Sequence, residues 1–419
     1  MGNRQTAMRV LFITYNGATE PLIRSQGIPY LKGLSKNGIG CALMSFEKSR
    51  PDAASGRLED DLRASGIIWK RLKYHKSPSL PATVFDILTG ITAGIILARS
   101  HRADIIHARA TVPAVMAYVI AFLTRKKFVY DERGLMAEEY ADGGTWKRDG
   151  LIYRTVRRIE KYLLLKADAV VVLTENIMNF LVCGDYLGDR GSGLNMHVIP
   201  CCVDLEKFKR RDAEKQALRE KIAPDFAGRF MFIYTGSVGT WYMPAEMLDF
   251  LAAAKEEIPG ACMMFVTHID REAVIRERDK KGLTAADVIV TGAEYDMMPE
   301  YLGAADAGIF FIRPVLSKRS SCPIKFAEYL SCGLPVVINS GIGDTAQAVE
   351  ENSAGAVVKG FSCLEYKEAA RKIASIAAQG PAASKRCRIA AENGFSLGSG
   401  VEKYMKVYDS VLNIKKGRR

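Results

Sequence analysis

Residues 320–340 read SSCPIKFAEYLSCGLPVVINS, a short helical run that gives way at a glycine to a continuous apolar one. Pro323 suits the first turn of a helix, Ser320 and Ser321 offer capping hydroxyls ahead of it, and Gly333 with Pro335 marks the exit. The pattern predicts a helix of about ten residues feeding a buried strand, LPVVIN. On that helix Lys325 and Glu328 stand three apart and share a face near the amino-terminal end, where backbone N–H groups and the helix dipole favour an anion. A phosphate would fit beside the lysine. A carboxylate one turn further on could accept two hydrogen bonds from a vicinal diol such as a ribose offers. Nucleoside diphosphate binding explains the pair, and a solvated surface ion pair is the competing account.

The same alternation of apolar run and helix extends outward in both directions, the pattern of parallel βαβ units. Towards the amino terminus it gives strands at RVLFITY, IGCALMSF, ADIIHA, KFVYD and DAVVVL, with helices beginning near Arg24, Thr111 and Lys147. A glycine-rich break at 183–195 precedes one more strand, MHVIP, and a polar stretch follows. The plan then repeats with FMFIYTG, CMMFVT, DVIVTG, AGIFFI, LPVVIN and GAVV. The fold class is therefore α/β, with two Rossmann-like, doubly wound domains: residues 1–200, to which a helix at 398–419 returns, and residues 201–397. A chain of 419 residues, 48% hydrophobic and 25% charged, is also too long for one compact core.

Ligands of such sheets sit beyond the carboxyl ends of the strands. The loops to watch are 16–26, 108–111 and 131–134 in the first half, then 236–242, 292–296, 313–325 and 340–344.

Several function classes recede on composition. The most apolar run, 84–98, is short for a membrane span and contains Asp86, so it reads as a packed helix. The amino terminus lacks a signal-peptide pattern. Nine cysteines without C-x-x-C spacing, two of them adjacent at Cys201 and Cys202, read as buried thiols of a reducing compartment. The expected location is cytoplasmic. The net charge of +12 implies anionic partners without choosing among nucleotides, lipid head groups and nucleic acid. Nucleic acid is not expected, because no helix-turn-helix, RNP-type or zinc-finger signature is present. No metal is expected either, since the five histidines, at 75, 101, 107, 197 and 268, are scattered and no D-x-D occurs.

The stretch PIKFAEYLSCGLPVV resembles the nucleotide-sugar motif of retaining glycosyltransferases of the two-domain GT-B fold, specifically glycosyltransferase family four. VLFITYNG, ADAVVVLT, HVIPCCVDLEKF and MMPEYLGAADAGIFFI resemble further segments of that family, spread over nearly the full chain. The resemblance implies two domains facing a central cleft. It implies transfer of a sugar from a nucleoside diphosphate donor, held mainly by the second domain, to an acceptor hydroxyl, with no cofactor. Glu328 matches the glutamate that binds the donor ribose.

Three positions depart from the family pattern. Its E-x7-E pair keeps only the second member, because Ser320 stands at the first. Ser237 and Tyr242 occupy positions where an arginine and a lysine commonly stand, which leaves Lys325, Arg319, Lys318 and Arg313 as the nearest cations for a diphosphate. The loop VYDERG carries Asp131 and Arg133 where many relatives have a histidine, so these two and His107, read as the end of the strand DIIH, are the candidates for catalysis. Gly236, Ser237, Arg313, Lys318, Arg319, Ser320, Pro323, Lys325 and Glu328 form the expected donor site. Asn16, Gly17, Trp241, Tyr242, Gly341 and Gly343 are expected to line the cleft. GIGDTA at 341–346 fits a dinucleotide fingerprint, but no acidic residue ends the strand that follows it.

The tract 146–166 carries seven cations, Lys147, Arg148, Arg154, Arg157, Arg158, Lys161 and Lys166, with an apolar complement. It reads either as a seat on an anionic membrane surface, near a glycan or lipid-linked acceptor, or as a solvated basic face. Two other classes remain: a sugar-nucleotide 2-epimerase of similar fold and a non-catalytic nucleotide or nucleic-acid binder.

Overall fold

A computed structural model describes residues 8–50, 52–183, 186–209 and 214–413; the basic tail KKGRR lies outside them. The chain forms two compact units, one of residues 1–200 with 397–419 and one of 201–396.

The first unit is built on a seven-stranded parallel sheet in the order β3-β2-β1-β4-β5-β6-β7. Its strands are β1 Arg9–Thr14, β2 Gly40–Glu47, β3 Ile68–Lys73, β4 Ile105–Arg109, β5 Lys127–Asp131, β6 Ala169–Val172 and β7 Met196–Val198. The central strands β1, β2, β4, β5 and β6 are almost wholly buried, which is why they read as apolar runs rather than alternating ones. The edge strand β3, IWKRLK, is half-buried or exposed throughout. Its lysines and arginine suit a sheet edge but break the apolar run by which a strand is read from sequence, so it was not among the expected strands.

The second unit repeats the design with six parallel strands in the order β10-β9-β8-β11-β12-β13. These are β8 Met231–Thr235, β9 Cys262–Val266, β10 Val288–Thr291, β11 Ala307–Phe310, β12 Val336–Asn339 and β13 Gly355–Val358, the six expected strands. Phe232, Tyr234, Met264, Ile309 and Val337 are among its fully buried residues.

Strand order reverses between β1 and β4 in the first unit and between β8 and β11 in the second. The loops after these four strands diverge to opposite faces, which opens a crevice at each switch point. The sheet thus singles out 236–242 and 311–325 in the second unit.

Local expectations needed correction. The helix after Lys147 begins at Leu151, with Gly150 capping a preceding turn through its N–H to the Lys147 carbonyl at 2.9 Å. The apolar run 84–98 belongs to a 22-residue helix, Ser79–Ser100, that is packed on one side only. Of the nine cysteines, all reduced, Cys183 and Cys363 are exposed.

Candidate functional site

The helix of the opening stretch runs Ile324–Ser331, eight residues, with Pro323 as its N-cap rather than in its first turn. No side chain caps it; the Ser320 hydroxyl instead donates to the Ser317 carbonyl at 2.7 Å. Every residue from Lys325 to Ser331 is buried, so the Lys325–Glu328 pair is no surface ion pair. Gly333 closes the helix with φ of +68°.

Lys325 is the unusual group. Its Nζ makes no hydrogen bond among the described residues and is held between two aromatic faces, 3.6 Å from the Tyr242 ring centroid and 4.0 Å from that of Tyr234. Ring quadrupoles attract a cation, but they supply no hydrogen-bond acceptor. Burial pushes the ammonium well below its usual range, with the Glu328 charge opposing. Directly beside it is Gly236, at the end of β8, with φ of +110°; a Cβ there would stand 3.1 Å from Lys325 Nζ. The backbone conformation favours glycine at this position, and a side chain there would press on the end of the lysine.

One turn along, Glu328 has the complementary problem. Tyr295 favours its charged form, while Oε1 has no partner among the described residues. Burial pushes the carboxyl up to about 7 despite Tyr295, Lys325 and Lys207, which all oppose the shift. Lys207 lies 4.1 Å from the Tyr295 ring centroid and pairs with Asp296 at 2.6 Å. An unsatisfied buried ammonium and an unsatisfied buried carboxylate oxygen on one helical turn are each costly. Together they form a site with an unused donor group and an unused acceptor.

The walls are fixed from beneath. Tyr329 receives the Thr235 N–H at 2.8 Å and packs over Gly308, where a Cβ would come within 2.3 Å of its ring. This ties the helix to β8 and β11. Trp241 lies under Lys318 Nζ, 3.8 Å from the ring centroid, and its carbonyl accepts the Arg313 N–H at 2.9 Å. Lys318 is buried, whereas Arg313 and Arg319 are exposed. Gly343 donates to the Lys318 carbonyl at 2.9 Å, and Gly341 and Gly343 both have positive φ, so the 340–344 loop braces the Lys318 segment. Ser237 offers its carbonyl to the Tyr234 hydroxyl. Lys325, Glu328, Gly236, Tyr242, Trp241 and Lys318 thus belong to one region. Tyr234, Tyr295 and Lys207 were missed, because nothing local in their segments marks them.

The catalytic candidates of the first unit form a closed polar core. His107 lies mid-strand in β4, not at its end, with Nδ1 2.7 Å from the Tyr408 hydroxyl and Nε2 3.7 Å from Asp131. Tyr404 donates to Asp131 at 3.0 Å, and Arg109 and Arg133 approach the same carboxylate at 3.6 and 3.4 Å. Tyr404 and Tyr408 come from the helix Leu397–Asn413. Burial would raise the Asp131 carboxyl, but Arg133, His107 and Arg109 together hold it below the usual carboxylate range. Burial pushes His107 down, so its imidazole is neutral. Asp131 and His107 are fully enclosed and bind the carboxy-terminal helix to the sheet.

In the loop after β1, Gly17 N–H is taken by Glu20 at 2.9 Å and Ala18 N–H by Glu47 at 2.8 Å. Asn16 reaches the same Glu20 at 3.4 Å. These groups serve the loop's own closure. Among the described residues no cluster of histidine, cysteine and carboxylates suits a metal ion.

Two family models match the chain: Glycosyltransferase Family 4 over residues 31–207, and Glycosyl transferases group 1 over residues 229–376. The chain belongs to the family-four, or group 1, glycosyltransferases and is a glycosyltransferase enzyme. No curated protein matches it in sequence. Its fold is shared with solved GT-B structures. A glycosyltransferase from Rickettsia africae superposes with a TM-score of 0.72 at 17% identity, over 97% of this chain and 99% of the other. HepE from Anabaena, solved with UDP and glucose, gives 0.70 at 15% identity, over 96% and 100%. The lipopolysaccharide glycosyltransferase WaaG gives 0.65 at 15% identity, over 95% and 99%.

Proposed function

We propose that this enzyme transfers a sugar from a nucleoside diphosphate donor to an acceptor hydroxyl with retention of anomeric configuration, in the assembly of a cell-surface glycan or lipid-linked oligosaccharide. The observation that carries the reading is Lys325: a buried ammonium between Tyr234 and Tyr242, without a hydrogen-bond acceptor among the described residues, one helical turn from a carboxylate with an oxygen that none of them bonds. A diphosphate oxygen supplies the first and a ribose diol the second. That HepE was solved with UDP and glucose supports the same donor class.

In the transfer the acceptor oxygen bonds to the anomeric carbon as the bond to the diphosphate oxygen breaks. Negative charge grows on the leaving diphosphate, where Lys325, Lys318 and the backbone of the Gly236 turn stabilise it. The leaving phosphate takes the acceptor proton, so no base from the Asp131 cluster is required. The charge is met by lysines, and we expect activity without a divalent metal, unaffected by a chelator. The enzyme would work at the cytoplasmic membrane face.

Thermal shift with uridine, guanosine and adenosine diphosphate sugars identifies the donor. Product analysis with acceptor then gives an α-linked product from an α-linked donor, read from its anomeric coupling constant. A β-linked product, or epimerised nucleotide sugar formed without acceptor, would overturn the reading.

A further inference from the structure

The helix Ser79–Ser100 has two faces of opposite character. Ala82, Asp86, Gly90, Gly94 and Ala98, every fourth residue, are buried. Leu80, Val84, Leu88 and Ile96, offset by half a turn, are exposed, Leu88 at 60% and Ile96 at 65%, with Phe85 alongside. The buried face is locked to the sheet. Asp86 accepts from the Tyr15 hydroxyl at 2.8 Å and the His75 N–H at 3.0 Å, and lies 2.6 Å from the His75 ring. Gly90 and Gly94 admit Met116 and Ile120 of the helix Thr111–Thr124 so closely that a Cβ would stand 2.6 and 2.3 Å from them. The helix is long and apolar enough to cross a membrane, but this anchoring forbids it to leave the fold.

The apolar surface continues onto Phe122, 73% exposed, and Leu123. Tyr118 of the same helix bonds Tyr162 of the helix Leu151–Lys166 at 2.7 Å. That helix exposes Leu151, Ile152 and Ile159 interleaved with exposed Arg154 and Arg158. Exposed cations also mark the two ends of the 79–100 helix, Lys73 and Lys76 before it, Arg99 in its last turn and Arg102 after it. Next to its amino-terminal end is a cavity of about 520 Å³ whose lining includes Lys48, Arg50, Arg71, Lys73 and Tyr74. Its acidic lining residues are occupied, Glu47 by the 18–19 backbone and hydroxyl and Asp52 by its helix cap; of its cations, Lys48 pairs with Glu20 and Arg71 with Glu59, so Arg50 and Lys73 carry the charge offered to a ligand.

We infer that the outer face of the 79–100 helix lies in the interface of an anionic bilayer, with the flanking cations on the head groups and the basic cavity holding a lipid phosphate. An apolar stripe of this size needs a cover. The positive charge at the two ends of this stripe and on the 151–166 helix selects anionic lipid over another apolar protein face. The proposal is independent of the transfer reading: it places membrane contact chiefly on 79–100, with 151–166 as its continuation.

The test is co-sedimentation of the full chain with phosphatidylcholine vesicles and with vesicles of equal parts phosphatidylcholine and phosphatidylglycerol, combined with hydroxyl-radical footprinting of the wild type. Binding to the anionic vesicles that partly survives high salt is expected, with loss of labelling at Leu80, Val84, Leu88 and Ile96. The double variant Leu88→Ser, Ile96→Ser should bind about tenfold or more weakly. Arg50→Glu with Lys73→Glu should lower the preference for anionic vesicles. Three results would overturn the inference: no sedimentation with either vesicle, sedimentation with labelling unchanged on the helix, or a vesicle-free dimer that the serine variant converts to monomer.

Discussion

Lys325 and Tyr242 are paired face-on: the ammonium lies 3.6 Å from the ring centroid. The ammonium, carried by the helix after β11, thereby stands beside the Gly236 turn that ends β8. The aromatic face steadies that charge without consuming its N–H donors, which leaves them for a ligand.

Lys325→Met should therefore cost affinity for the diphosphate rather than for the nucleoside. Loss of a charge-assisted hydrogen bond weakens binding by about 1.5 to 3 kcal/mol, roughly ten- to a hundredfold. Calorimetry with the preferred nucleoside and its diphosphate separates the two, and equal loss for both would place Lys325 outside the phosphate site.

Glu328→Gln should weaken donor binding by a similar roughly ten- to a hundredfold factor while stabilising the empty protein at alkaline pH. The native carboxyl stands at about 7 against an ordinary value of 4.5, so the folded state binds the extra proton. Stability is then lost as pH rises from about 4.5 to about 7, by up to about 3 kcal/mol. Melting curves should give a higher midpoint than wild type at pH 8 and the same midpoint at pH 4. A variant that melts lower at pH 8 contradicts this account.

Gly236→Ala combines a strained φ of +110° with a Cβ 3.1 Å from Lys325 Nζ. Destabilisation by about 1 kcal/mol or more is expected, together with loss of donor binding as the lysine is displaced. Gly228→Ala is the control, since φ there is +72° but nothing lies within 4 Å of the new methyl. Loss of stability without loss of binding is expected for that variant alone.

Asp131→Asn would leave Arg109 and Arg133 facing a neutral side chain in a closed core. Breaking a buried pair in this way costs about 3 to 5 kcal/mol, so the first unit should unfold earlier in denaturant. A variant of wild-type stability that lacks activity would return Asp131 to the chemistry.

The sequence alone determined the layered α/β plan, because central parallel strands are buried on both faces and announce themselves as apolar runs between helices. It also determined the Lys325–Glu328 helix, since Pro323 and Gly333 mark its ends within a few residues. The edge strand β3 escaped because its charged residues break the apolar pattern. Tertiary structure decided the rest. Tyr234, Tyr242 and Tyr295 meet Lys325 and Glu328 only because strand order reverses between β8 and β11, a choice no local segment encodes. His107 and Asp131 lie in an enclosed polar cluster that no local segment shows, because Tyr404 and Tyr408 reach them across 273 and 301 residues of sequence. The 79–100 run reads the same whether both its faces are packed or one; only the position of the neighbouring helix shows which face was left bare.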